Sequence, residues 1–165
     1  MVLLKVNVKT VTRVGILLAL ALVFQSIRLG QFFTGPAINA VLFIAAATVG
    51  VAGGVIIGAV TPWVALALGI LNPVLAPAVP FIMLGNGLLV IAFHYLSGWN
   101  RYAAVVGAAI VKFLVLSGAV RFILALNPKL SAALQVPQLI TALIGGALAL
   151  VVVGTLERTG IVSDG

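Results

Sequence analysis

Lys112 stands ten residues into a strongly apolar run, Tyr102 to Leu126, where a charge needs an explanation. At the centre of a membrane span a lysine costs ~2.5 to 3.5 kcal/mol on insertion scales. The chain has two acidic residues, Glu157 and Asp164, both within its last nine positions, so no carboxylate in a span can pair with it. Lys112 must therefore snorkel, meet carbonyl or amide oxygens, be neutral, or receive an anionic ligand. Arg121 lies on the same run nine positions later. At about 100° per residue it falls roughly 180° away, which makes it the weaker ligand candidate.

Other polar residues invite the same question, because an unsatisfied polar group in lipid is expensive. Asn86 and His94 share a broad face of the run Phe81 to Leu96. His94 stands beside Tyr95 and Trp99, as an interfacial belt residue would. Gln138, Thr141 and Gly145 recur at i, i+3 and i+7. That stripe fits a cavity wall or a close-packing seam equally well. Gln31, Thr34 and Asn39 interrupt two apolar stretches in "QFFTGPAIN", where Gly35-Pro36 is expected to turn the chain and start the next helix.

Most catalytic chemistry lacks its players. The chain has no Cys, one His and no intramembrane carboxylate, so there is no nucleophile–base–acid set and no metal-ligand cluster. No GxxxxGK[ST] phosphate loop occurs, so any ATP-driven work must be powered by another subunit. A proton-coupled carrier would want an acid in a span. A binder or channel fits better than an enzyme, and no cofactor is expected.

The elements that position these residues follow from composition. With 165 residues, 64% of them hydrophobic, and 7% charged, the chain has lipid as its main solvent. The net charge of +7 comes from basic residues scattered singly between apolar runs, which is not a nucleic-acid patch. Six spans are expected in one membrane domain covering 1–165: about 11–29, 37–49, 53–71, 81–96, 102–126 and 135–156. The start of the chain is read as the first span and not as a secretory signal, because no small-x-small cleavage site follows. The second and third spans are the weakest division, with one crossing plus a re-entrant segment as the rival.

Six spans with both termini cytoplasmic put Lys5, Lys9, Arg13, Arg101 and Arg158 inside, against Arg28 and Lys129 outside. The outer connections "NPVLAPAVP" and "NPKLSAALQVP" are proline-rich and apolar. They should be stiff and non-helical, either as plain connectors or folded back as a lid. In the first span, Gly15 and Ala19 have small-x-x-x-small spacing that permits close helix approach, and Ser26 shares their face.

The stretches "TRVGILLALALVFQ", "TGPAINAVLFIAAATVG", "GGVIIGAVTPWVALALG" and "VPFIMLGNGLLVIAF" resemble a substrate-binding S component of an energy-coupling factor (ECF) transporter. The resemblance covers nearly the whole chain. It implies an all-α six-transmembrane-helix bundle in a prokaryotic plasma membrane that captures a vitamin or similar micronutrient. It further implies as partners a transmembrane scaffold subunit and two cytoplasmic ATPases, with Gly15-x-x-x-Ala19 in the place of the family's scaffold-contacting Ala-x-x-x-Ala. By location it nominates Gln31, Thr34, Asn39, Asn72, Asn86, Lys112 and Gln138 for substrate. Nickel and cobalt members carry a His-bearing amino terminus, which this chain lacks, so an organic, neutral or anionic solute is expected. The alternative is a structural or assembly subunit of a membrane complex with no solute site of its own.

Overall fold

The computed structural model describes residues 8–160, so Lys5 and Asp164 lie outside the described part. It is all-helical among these residues: α1 Val8–Ser26, α2 Gln31–Thr48, α3 Gly50–Ala67, α4 Val79–Ser97, α5 Arg101–Phe122, α6 Pro128–Ala133 and α7 Val136–Arg158. A short 3-10 helix, Pro73–Ala78, precedes α4. Six helices, α1 to α5 and α7, are long and apolar enough to cross a membrane.

Several boundaries differ from the sequence expectation. The second helix starts at Gln31, so "QFFTGPAIN" is helical throughout and Pro36 lies inside α2, not at its start. Proline this early removes only the bond to the Phe32 carbonyl, and a helix tolerates that near its first turns. The 18 residues of α2 are enough to rise about 27 Å at 1.5 Å per residue. "GVAGG" is likewise helical, because α3 begins at Gly50. The reversal between α2 and α3 falls on Val49 and Gly50, and Gly50 has φ 80°, a conformation that a residue with a Cβ adopts only under strain. Two separate helices replace the re-entrant alternative.

The proline-rich connections also contain helix, contrary to the non-helical expectation. Asn72 and Asn127 each accept a backbone N–H through Oδ1, and each is followed by a proline in the first turn. A capping asparagine before a proline is a helix-starting pair, because the proline loses no bond there. Leu75 and Ala78 of the 3-10 helix pack with Leu134, Leu130 and Leu126 of the other connection over Ile82 and Val120. The two connections thus form a small apolar cap of their own.

Packing runs round a ring, α1–α3–α4–α5–α7–α2, with α2 also touching α4 across the middle. The core lies along α2, where Leu42, Phe43, Ala45 and Ala46 are buried, with the Phe43 and Phe93 rings edge-to-face at 5.0 Å. On α7, a Cβ at Gly145 would come within 2.6 Å of the Pro36 carbonyl and 2.8 Å of the Ala40 nitrogen. Only glycine lets α2 and α7 meet this closely, and that contact fixes where the polar residues of α2 stand. By contrast α1 is peripheral, with Ala21 and Gln25 as its buried residues.

Candidate functional site

The polar site begins with a proline. Pro62 inside α3 has no N–H to offer the Gly58 carbonyl, which a regular helix would satisfy from that position. Asn86 of α4 supplies the bond instead, with Nδ2 donating to Gly58 O at 3.0 Å. One residue before the proline, the Thr61 carbonyl accepts from Gln25 Nε2 of α1 at 3.3 Å. A carbonyl only accepts, so both amide NH2 groups are oriented by these bonds. The amide oxygens are left over. Gln25 Oε1, Asn86 Oδ1 and the Thr61 hydroxyl are buried and have no hydrogen-bond partner among the described residues.

A second set lies across from it on α2, α5 and α7. Lys112 is 3% exposed, and its Nζ donates to Asn39 Oδ1 at 2.8 Å. Asn39 Nδ2 in turn donates to the Gly35 carbonyl at 2.9 Å and to Thr141 Oγ1 at 3.4 Å. The Thr141 hydroxyl donates to the Gln138 carbonyl at 3.1 Å. Both N–H donors of the Asn39 amide are used by these bonds. The ammonium makes one bond among the described residues and keeps two donors.

Both sets line a single cavity of about 270 Å³ at the end of the bundle that carries the α1–α2 and α3–α4 connections. Gln31, Thr34, Asn39, Asn86, Lys112 and Gln138 all line it. Asn72 does not; it is exposed and its Oδ1 caps the 3-10 helix from 3.0 Å. The cavity also takes in Gln25, Thr61 and Arg28, which the sequence reading did not nominate. Their signals were present: Gln25 is the lone amide of α1, and Thr61 precedes a proline in an apolar span. Arg28 has φ 56°, and its Nη2 donates to the Leu68 carbonyl at 3.0 Å, tying the α1–α2 connection to the end of α3. Two basic groups and no acidic group face the cavity.

The remaining candidates fall elsewhere. Arg121 is exposed, with its guanidinium 6.0 Å from the Phe122 ring, on the opposite side of α5 from buried Lys112. His94 is exposed and stands edge-on to Tyr95. No group of three His, Cys or acidic residues that could hold a metal occurs among the described residues. The Gln138–Thr141–Gly145 stripe does both things open to it: Gln138 lines the cavity, while Thr141 and Gly145 pack on Gly35, Pro36 and Asn39. Gly15 and Ala19 lie on the exposed side of α1, and a Cβ at Gly15 would touch nothing within 4 Å. At the far end of the bundle, Arg101 and Glu157 form an ion pair at 2.7 Å between α5 and α7.

The geometry is that of a helical bundle with a cavity at one end lined by amide, hydroxyl and basic side chains. No curated protein and no solved structure matches the chain. The family model described as "ECF transporter, substrate-specific component" matches residues 9–156. That is nearly the whole chain, all six spanning helices included, and it places the chain in the ECF transporter substrate-specific component family: a multi-pass membrane protein and a substrate-binding subunit of a transporter.

Proposed function

We propose that the cavity between the helices is the substrate site, and that its solute is a vitamin or similar small organic micronutrient, neutral or anionic. The observation that carries this reading is the set of buried polar atoms without partners, Gln25 Oε1, Thr61 Oγ1 and Asn86 Oδ1, on residues that line a cavity together with Lys112. A buried group left unpaired costs ~1 to 3 kcal/mol, and a solute that completes these bonds recovers it. The absence of any acidic group at the cavity disfavours a cation. The volume lies just under the ~300 to 1,000 Å³ of drug-sized sites, which suits a small solute.

Capture would proceed from the outer side through the end bearing Arg28, Gln31 and the α3–α4 connection, with both termini in the cytoplasm. Release would then require reorientation of the bundle by a scaffold subunit and two ATPases, since the chain has no nucleotide-binding loop of its own. The exposed Gly15–Ala19 face of α1 is the surface on which the scaffold would seat.

Small-molecule mass spectrometry of the purified chain tests the site. Wild-type protein should carry one organic solute through purification in near-stoichiometric amount, and Lys112→Met protein of equal monodispersity should carry at least tenfold less. Equal solute content in the two proteins would overturn the assignment of this cavity, and none in either would favour a structural subunit of a membrane complex.

A further inference from the structure

The cavity has two chemically different walls, and together they define the shape of the solute's polarity. The wall made by α1, α3 and α4 presents acceptors. Gln25 Oε1 and Asn86 Oδ1 are carbonyl oxygens, and the NH2 group of each amide is held by one N–H, on Thr61 O and Gly58 O respectively. They can accept hydrogen bonds and cannot be flipped into donors without stranding those backbone carbonyls. The Thr61 hydroxyl stands between them in sequence, one residue from the proline that creates the arrangement. The opposite wall, from α2, α5 and α7, presents a cation: Lys112 Nζ, fixed on Asn39 Oδ1, with two donors still to place. Arg28 adds a second positive group at the rim.

We propose that the solute is two-ended, with an anionic group set against Lys112 and Arg28 and an N–H or O–H donor edge set against Gln25, Thr61 and Asn86. The inference rests on the reading of the cavity as the substrate site and sharpens it from "neutral or anionic" to an anion that also carries donors. A simple fatty or aromatic acid satisfies one wall only. A neutral amide or alcohol leaves the ammonium without a counter-charge in a cavity that no acidic residue lines. A cation meets Lys112 and Arg28 with like charge.

The test offers the purified, solute-stripped protein in lipid nanodiscs an equimolar mixture of small water-soluble compounds of similar size. The mixture contains carboxylates with amide or hydroxyl donors, carboxylates without donors, neutral donor compounds and ammonium compounds. Retained species are counted by mass spectrometry. Wild type should retain donor-bearing carboxylates at least tenfold over every other class. Lys112→Met should lose the preference for carboxylates over neutral donor compounds, and Lys112→Arg should keep it.

Thr61→Val separates binding from folding. The replacement is near-isosteric and removes a buried hydroxyl that has no partner, so the solute-free melting temperature should hold or rise. Retention of donor-bearing carboxylates should nonetheless fall threefold or more. Retention of donor-free acids, neutral compounds or cations as strongly as donor-bearing acids overturns the two-ended solute and leaves the substrate site standing. Retention of nothing by the wild type counts against both. An unchanged profile in Thr61→Val and Lys112→Met overturns the assignment of the two walls.

Discussion

At the scale of single residues, the cavity is lined by amide side chains that hold the fold with one end and leave the other unpartnered. Asn86 replaces the hydrogen bond that Pro62 cannot make to Gly58, so its NH2 is structural while its oxygen has no partner among the described residues. Asn86→Leu should therefore destabilise by ~1 to 3 kcal/mol, read as a lowered melting temperature in detergent, because the Gly58 carbonyl is left unpaired. Asn39→Leu should cost at least as much, since it removes the bonds to Lys112, Gly35 and Thr141 together. Six of the seven residues nominated by location from the resemblance line the cavity, and for Lys112 and Asn86 the cost of burying a polar group in lipid pointed to a partner before any contact was known. Asn72 escaped that logic: it sits in a connection, where the same residue type serves as a helix cap. Gln25 was obscured because it reads from sequence as a residue near a span end, and Thr61 because a mid-span hydroxyl can bond a carbonyl of its own helix and so demands no partner.

At the scale of elements, the count of six helices was legible because lipid demands long apolar segments whatever the neighbours do. Boundaries were less legible where proline and glycine appear inside helices. Pro36 and the glycines of "GVAGG" look like punctuation in a soluble protein, yet in a bundle they let helices approach closely. The approach of α7 to the backbone of α2 predicts a contrast. Gly145→Ala should destabilise by ~1 to 3 kcal/mol, because its Cβ meets backbone of α2. Gly118→Ala on α5, where a Cβ meets nothing within 4 Å, should be neutral or stabilising by up to ~1 kcal/mol. Thermal unfolding of the two variants in the same detergent checks the difference. The Arg101–Glu157 pair, with side chains 45% and 18% exposed, should matter little: Arg101→Ala should cost no more than ~1 kcal/mol, and less in high salt.

At the scale of the whole molecule, the proposed function divides the work of a transport subunit between the polar cavity at one end, which would hold the solute, and the lightly packed α1 at its side, which would dock. Gly15→Leu with Ala19→Leu should leave the melting temperature and the solute content unchanged, because neither position is buried. The same pair should abolish co-purification of the proposed scaffold and ATPase partners from native membranes. Intact co-purification would place the docking surface elsewhere.

The central claim, that the polar cavity holds the solute, is tested most directly by chemistry the natural chain lacks. It contains no cysteine, so a single cysteine reports on one place alone. Thr34→Cys, in the cavity, should react with a water-soluble maleimide at least tenfold faster after the carried solute is stripped, and slow again when the recovered solute is restored. Ala132→Cys, exposed on α6, should react equally in all three states. A Thr34→Cys rate indifferent to the solute would contradict the account.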